Sequence, residues 1–488
     1  MPATLMYLIL QLMEPVNKLS LHCYAAGKII QGTDQLTIRS PYDNRVIGTL
    51  STVKEADTLH AIETALQPKA IMSHFERYQV LNQAQILLSA RRTEFAALIS
   101  AESGLCIREA MYETGRAIDV LMFAAIAALQ EPGQVLSCDV SPQGKARKIY
   151  TVQEPLPLAV AITPFNHPLN QVAHKVAPAL AAGTPVILKP SEKTPLTAVR
   201  FVELLYEAGL PPHMLSVLLG PTNEVAGMLV SDPRVAVVSF TGSVAVGKRI
   251  AQTAGYKKVI LELGGNDPLI ILDDADLDLA ATLAAEGAFR NSGQRCTAVK
   301  RILVQENIHD EFVSRFIKKA QTYVCGDPAD PDTIVGTVID EGSAIHLAQL
   351  IEKAVTQGAN LVQGGTRNGA LLQPAILTQV SRNAEMVVQE AFGPLAPIMA
   401  VANLEDAVNV ANSTAYGLSS GVVTNNLQHA MYAIKHIKAG TVNINEVPGY
   451  RIEHSPFGGI KDSGLGIKEG VTEAMKTFSF TKTYSLPW

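Results

Sequence analysis

Between residues 158 and 263 short apolar runs alternate with helical patterns, and this rhythm restricts the fold more than any other feature of the chain. The runs cover 158–162, 185–188, 215–219, 236–240 and 258–261. Helical periodicity ends at 182 after the first run and then covers 195–208 (closed by Gly209), 222–230 and 243–254. Five apolar runs joined by four helices read as βαβ units in one open parallel sheet. Such sheets bind ligands at the carboxyl ends of their strands, so the residues after each run are where chemistry is expected.

With 488 residues the chain exceeds what one hydrophobic core supports and should divide into two or three domains. A second alternation of strands and helices, roughly 268–444, makes another α/β domain. Residues 33–50 read as short strands with a turn at Ser40-Pro-Tyr-Asp-Asn44, and helical periodicity dominates 53–129. Residues 134–152 alternate around Pro142-Gln-Gly144 like a hairpin. An isolated hairpin needs a further strand, and the alternating segment 476–485 supplies one, from this chain or another subunit. The apolar stretch 1–13 lacks a basic n-region and a cleavage site and is too short to span a bilayer. Residues 1–20 are therefore expected as a disordered extension.

A net charge of −5 gives no basis for binding nucleic acid or an anionic membrane. Cys23, Cys106, Cys138, Cys296 and Cys325 are odd in number, dispersed and without a CxxC pair. That usage points to a reducing cytoplasm and to neither a disulfide framework nor a metal site.

The strand ends carry polar groups. Thr163-Pro-Phe-Asn166-His167-Pro fixes an amide before a helix, which serves either an Asx-turn or an oxyanion hole. In Lys189-Pro-Ser191-Glu192 the lysine and carboxylate form either a solvated pair or a ribose clamp, the acid favouring a free 2′-hydroxyl. Phe240-Thr-Gly242-Ser243 sets a glycine and a hydroxyl at a helix N-terminus, a place for a pyrophosphate, although no GxGxxG is present. Glu262-Leu263-Gly264-Gly265 is either a plain strand end or a general base with room for water. In the second domain, Asn291-Ser-Gly-Gln-Arg295-Cys296-Thr297 lies between a helix expected over 275–289 and a strand over 301–305. A lone cysteine more often packs in a core. On a loop that substrate can reach, its thiolate is a nucleophile.

In this order, and with Glu390-Ala-Phe392-Gly-Pro and Pro456-Phe-Gly-Gly-Ile-Lys-Asp-Ser-Gly-Leu-Gly, these motifs resemble the aldehyde dehydrogenase superfamily from about residue 36 to 482. The resemblance implies an α/β fold with two open parallel-sheet domains, a Rossmann-like cofactor domain (21–133 and 153–262) and a catalytic domain (263–468). A small β oligomerisation arm (134–152 and 469–488) would build a homodimer or homotetramer. It also implies that Cys296 attacks an aldehyde to give a thiohemiacetal whose oxyanion is held by the Asn166 amide and the Cys296 N–H. Hydride then passes to a nicotinamide, and Glu262 activates water to hydrolyse the thioester, with Lys175 in support. The expected cofactor is NAD, because of Glu192, with NADP as the alternative. Its site would comprise Ile162, Thr163, Pro164, Phe165, Asn166, Lys189, Ser191, Glu192, Gly220, Phe240, Gly242, Ser243, Val246, Leu263, Gly264, Glu390 and Phe392.

The chain departs from the commonest family pattern around Asn166, where Phe165 and His167 replace a tryptophan and an aromatic. Arg116, His167, Arg295, Thr297, Arg451 and His454 are the expected substrate residues. Up to three guanidinium groups would suit a doubly charged phosphoryl or phosphonyl head, an arrangement similar to non-phosphorylating glyceraldehyde-3-phosphate dehydrogenases. The expected substrate is a small anionic aldehyde: phosphonoacetaldehyde, oxidised to phosphonoacetate. Lactaldehyde, glyceraldehyde 3-phosphate and succinate semialdehyde are the alternatives. Glu262 counts against a CoA-acylating enzyme, and Cys296, Glu262 and Asn166 together count against a non-catalytic structural homologue.

Overall fold

A computed structural model describes residues 18–32, 34–67 and 71–487. Seven strands make its first large sheet: β1 (Cys23–Ala25), β2 (Lys28–Ile30), β3 (Ala159–Ile162), β4 (Val186–Lys189), β5 (Leu215–Val217), β6 (Val237–Gly242) and β7 (Lys258–Leu263). Their spatial order is β7-β6-β3-β4-β5-β1-β2. Strands β3 to β7 are the five runs of the sequence alternation, and every adjacent pair among them is parallel. β1 and β2 extend the β5 edge in antiparallel fashion. Every residue of β3 and β4 is buried, the signature of a parallel sheet covered on both faces.

The helices that matter to the site are α1 (Ile107–Ala128), α2 (Asn170–Ala182), α3 (Leu196–Glu207), α4 (Val244–Ala254) and α5 (Leu277–Phe289). The segment expected as one helix over 222–230 is instead a π-helical turn, Asn223–Gly227, followed by a short α-helix, Met228–Ser231. There the Gly227 N–H reaches back five residues to the Thr222 carbonyl at 2.8 Å, which widens the turn.

The second large sheet contains β8 (Pro268–Ile271), β9 (Arg301–Gln305), β10 (Asn360–Gln363), β11 (Ala375–Thr378), β12 (Leu395–Val401), β13 (Ser419–Val423) and β14 (Thr441–Ile444). They lie in the order β10-β11-β12-β9-β8-β13-β14, with only β10 antiparallel to its neighbour. A separate antiparallel sheet joins Val135–Ser137, Arg147–Pro155 and Ser479–Pro487. The C-terminal strand thus pairs with the hairpin of its own chain. Ahead of it, in the stretch expected as arm, Val471–Thr477 is a helix whose Val471 and Ala474 enter the core.

Of the extension expected over residues 1–20, residues 1–17 lie outside the described residues. Leu19 and Ser20 belong to a strand, Leu19–Leu21, paired in parallel with Gly48 and Thr49. Leu19 packs against the main core, which is the reason this end is ordered. No helix among the described residues is long and apolar enough to cross a membrane.

Glu113 of α1 fixes the turn that leaves β3. Its buried carboxylate accepts hydrogen bonds from the Leu169 and Asn170 N–H groups at 2.9 and 3.0 Å, an anionic cap on the start of α2. Two buried donors lose their acceptor if it is removed, each at about 1–3 kcal/mol. Glu113→Ala is therefore expected to lower unfolding free energy by about 3 kcal/mol in a urea titration, and Glu113→Gln by clearly less. Equal losses would mean that the carbonyl oxygen is not what the helix start requires.

Candidate active site

Strand register lines the polar ends along one edge. Ile162 stands opposite both Lys189 and Phe240, and Thr241 opposite Glu262. A cavity of about 680 Å³ follows this edge from Lys189 and Glu192 to Cys296, Glu390 and Phe392. That volume suits a cofactor-sized ligand. Every expected cofactor residue except Gly220 lines it. Gly220 is not among the lining residues, and an added Cβ there would meet the Val53 carbonyl oxygen at 2.2 Å and Val225 at 2.9 Å, so the glycine is required by close packing.

Several lining residues escaped the sequence reading. Thr222, Asn223, Ala226 and Gly227 arrive through the π-helical turn, which no sequence pattern announces. Arg249, Ile250 and Thr253 arrive on α4, and their spacing of three, four and seven from Val246 was a readable signal. The cavity fits a dinucleotide: Ser243 caps α4, its hydroxyl accepting from the Val246 N–H, so a helix N-terminus with Gly242 before it faces the space. At the other end Lys189 and Glu192 pair at 3.2 Å.

The loop bearing Cys296 is built under strain. After α5, Asn291, Ser292 and Gly293 take left-handed φ values of 51°, 50° and 69°. Buried partners hold them there: Asn291 Nδ2 donates to the Asn166 carbonyl at 2.9 Å, and the Ser292 hydroxyl to the Gly336 carbonyl at 3.0 Å. Asn166 Nδ2 in turn donates to the Gln294 carbonyl at 2.8 Å, which locks the Asn166 turn to the cysteine loop. Beyond the loop, Lys300 Nζ donates to the Cys296 carbonyl at 2.6 Å and pairs with Glu390 at 2.8 Å.

Burial pushes the Cys296 thiol up to about 11, against the pull of Lys300 and Arg451. Glu262 is also buried, and neither of its carboxyl oxygens has a hydrogen-bond partner. Burial first, and the nearby charge of Glu469 second, hold it well above the carboxylate range. Glu469 goes the other way: despite its own burial, Lys175 at 2.6 Å keeps it ionised. Lys175 also donates to the Ser239 hydroxyl at 2.9 Å, so it acts beside Glu262 through Glu469. A Cβ at Gly458 would lie 2.8 Å from Glu262 Oε1, and the glycine there leaves the carboxyl its room.

The expected convergence of three guanidinium groups is not what the fold provides. Arg116 is paired with the buried Glu453 at 2.5 Å. Arg295 points back into the end of α5, donating to the Glu286 and Gly287 carbonyls at 3.0 and 2.7 Å. His167 turns to Glu113, with Nδ1 3.3 Å from the carboxylate. His454 packs on Phe123 with ring centroids 5.2 Å apart, and Thr297 lies beneath Gly449. Arg116 and His167 thus have carboxylate partners from distant sequence, whereas the partners of Arg295 lie eight and nine positions before it. Among the described residues two buried guanidinium nitrogens have no partner, Arg295 Nε and Arg451 Nη1, and of the two arginines only Arg295 also donates to backbone carbonyls. Arg451 lies 4.0 Å over the Phe457 ring, and its charge pulls on both Cys296 and Glu262.

A cysteine facing a dinucleotide-sized cleft, with a buried carboxyl beside it, marks a pyridine-nucleotide oxidoreductase that acts on aldehydes. The chain belongs to the aldehyde dehydrogenase family, whose pattern residues 29–484 match. It is 38% identical over 454 residues to a 3-sulfolactaldehyde dehydrogenase of Priestia aryabhattai, covering 93% of this chain and 95% of that protein. It is 37% identical over 447 residues to a sulfoacetaldehyde dehydrogenase of Neptuniibacter caesariensis, covering 91% and 98%. Its structure is similar to that of the NADP-dependent glyceraldehyde-3-phosphate dehydrogenase from Bacillus halodurans C-125 complexed with NADP. The TM-score is 0.93 and the identity 32%, over 96% of this chain and 99% of that one.

The proton states set a pH dependence. A base raised above its usual range is protonated, and idle, below its pKa, and a thiol raised by burial resists ionising in the same range. Turnover is expected to climb as pH rises above the ordinary carboxylate range, and the climb in kcat should vanish in Glu262→Gln. A kcat for the native enzyme that has already levelled off within the ordinary carboxylate range would contradict the assignment.

Proposed function

We propose that this chain oxidises a small anionic aldehyde to its carboxylate, with NAD preferred over NADP, and that Arg451 receives the anionic head. The unpartnered, half-buried guanidinium of Arg451, on a loop resting on the residue after Cys296, is the observation that carries this reading. Relatives named for sulfolactaldehyde and sulfoacetaldehyde support a sulfonate head. The phosphonate of phosphonoacetaldehyde, a phosphate ester and a carboxylate are the competing heads.

In this reading Cys296 Sγ adds to the carbonyl carbon, and the Asn166 amide steadies the oxygen as it gains charge. The bound nicotinamide supplies the hydride acceptor. Lys189 and Glu192 hold the adenosine ribose, and Gly242 and Ser243 the phosphates, while Glu390 and Phe392 shape the end nearest Cys296. The thioester left on Cys296 is cleaved by water whose proton passes to Glu262. Glu469, paired with Lys175, keeps Glu262 basic enough to take it. The first large sheet serves as the cofactor domain and the second as the catalytic domain. The hairpin with the C-terminal strand serves as the arm of a homodimer or homotetramer.

Two measurements test the roles. Glu262→Gln should release about one equivalent of NADH in a burst and then turn over about 10²–10⁴-fold more slowly, since acylation survives and hydrolysis does not. Steady turnover near the native rate would place the base elsewhere. Arg451→Met should reduce kcat/KM for sulfoacetaldehyde relative to propanal by at least about tenfold, the worth of a charge-assisted contact. An unchanged ratio would remove Arg451 from the substrate site.

A further inference from the structure

Helix α2 carries buried polar atoms that the contacts described so far do not use. Asn170 Oδ1 and Nδ2, Gln171 Oε1 and His174 Nδ1 have no hydrogen-bond partner among the described residues. Sealing such an atom from water costs free energy unless another group completes it. Asn170 and His174 do not line the cavity, and His174 is engaged through Nε2 with Glu453. Gln171, only 8% exposed, does line it, together with Asn166, Glu262 and Cys296. Its backbone N–H donates to the His167 carbonyl at 3.1 Å, which fixes it to the turn that Asn166 begins. Helix geometry gives its place along the cavity. Lys175 is four positions later and so on the same face; it holds Glu469, whose charge acts on Glu262. The Gln171 amide therefore stands at the Cys296 end.

We propose that Gln171 reads a hydroxyl on the carbon next to the aldehyde, so that the chain takes 2-hydroxyaldehydes in preference to their deoxy counterparts. This rests on the reading above only in that Cys296 takes up the carbonyl carbon, with the Asn166 amide beside its oxygen. With the carbonyl so placed, the neighbouring carbon is the part of the substrate that the first turn of α2 can reach. A carboxamide offers an acceptor and a donor side, and a hydroxyl both donates and accepts, so the two pair without any charge. The amide oxygen is already out of water, so a hydroxyl gains a hydrogen bond there that a deoxy aldehyde leaves unmade. A leucine or methionine at this position would cover the same wall and offer neither group.

The test uses two pairs of aldehydes that differ only in the hydroxyl: lactaldehyde with propanal, and 3-sulfolactaldehyde with 3-sulfopropanal. Full-length native enzyme, Gln171→Leu and Gln171→Met are assayed with NAD. Ratios of kcat/KM are taken within each protein, so the folded fraction cancels, and comparing native with variant ratios cancels the intrinsic reactivity of the aldehydes. Both ratios should fall at least about tenfold in either variant, the worth of a hydrogen bond to a buried amide. A fixed amide also selects one hand: the enantiomers of lactaldehyde are equally reactive, so the native enzyme should favour one by at least about tenfold and the variants should lose most of that preference. Ratios unmoved by the substitutions, or equal native use of the two enantiomers, overturn the inference. A loss of kcat shared by hydroxylated and deoxy aldehydes, with an NADH burst, would assign Gln171 to the hydrolytic water, and a rise in the KM for NAD alone would assign it to the cofactor; either result overturns the inference too. If neither variant folds, the native enantiomer comparison still decides. Absence of NADH formation from all four aldehydes would instead sink the aldehyde reading itself, and a neutral pair used as well as the sulfonated pair would sink only its anionic part.

Discussion

Glu262 is a carboxyl buried without a hydrogen-bond partner, and the chemistry of the site depends on its remaining so. A carboxylate given a lysine would be ionised and inert, as Glu469 is beside Lys175. The fold supplies the lysine to the neighbour and leaves Glu262 with burial and a like charge. Two carboxyl groups in one region are thereby driven to opposite proton states, the arrangement that separates a base from a bystander. Gly458 and the loop around it leave space at the carboxyl rather than a donor.

Cys296, the proposed nucleophile, is positioned by a different means. Three consecutive left-handed residues after α5 would unfold if left to themselves. The hydrogen bonds from Asn291 and Ser292 tie them to the Asn166 turn and to the chain near Gly336. Asn166 closes the circuit through the Gln294 carbonyl. The amide and the cysteine loop are thus tied as one unit, and the two large sheets meet at that unit.

Much of this was legible in the sequence because parallel strands buried on both faces are continuous apolar runs, and the polar residues that follow them stand at the sheet's edge. The five runs became β3 to β7, and Asn166, Lys189, Gly242, Glu262 and Cys296 line one cavity. What could not be read was pairing over distance. Arg116 meets Glu453 across 337 positions, and Glu113 meets the turn holding His167 across more than fifty. A charge in a sequence shows that a partner is needed, not which group takes it. Gly220 shows a related ambiguity: a glycine required by close packing and one required by a phosphate look alike in sequence.

The pair of Lys175 and Glu469 gives the architecture a direction in time. Lys175 lies in a helix of the first sheet's domain, yet its counter-charge, Glu469, is 294 positions later, just ahead of the helix and strand that end the described chain. A ribosome releases the first large sheet long before it releases Glu469. Until then the growing domain must keep Lys175 hydrated or leave an uncompensated ammonium in its core. Compensation of that buried ammonium therefore waits on a late segment, whose following strand pairs with the hairpin strand of residues 147–155.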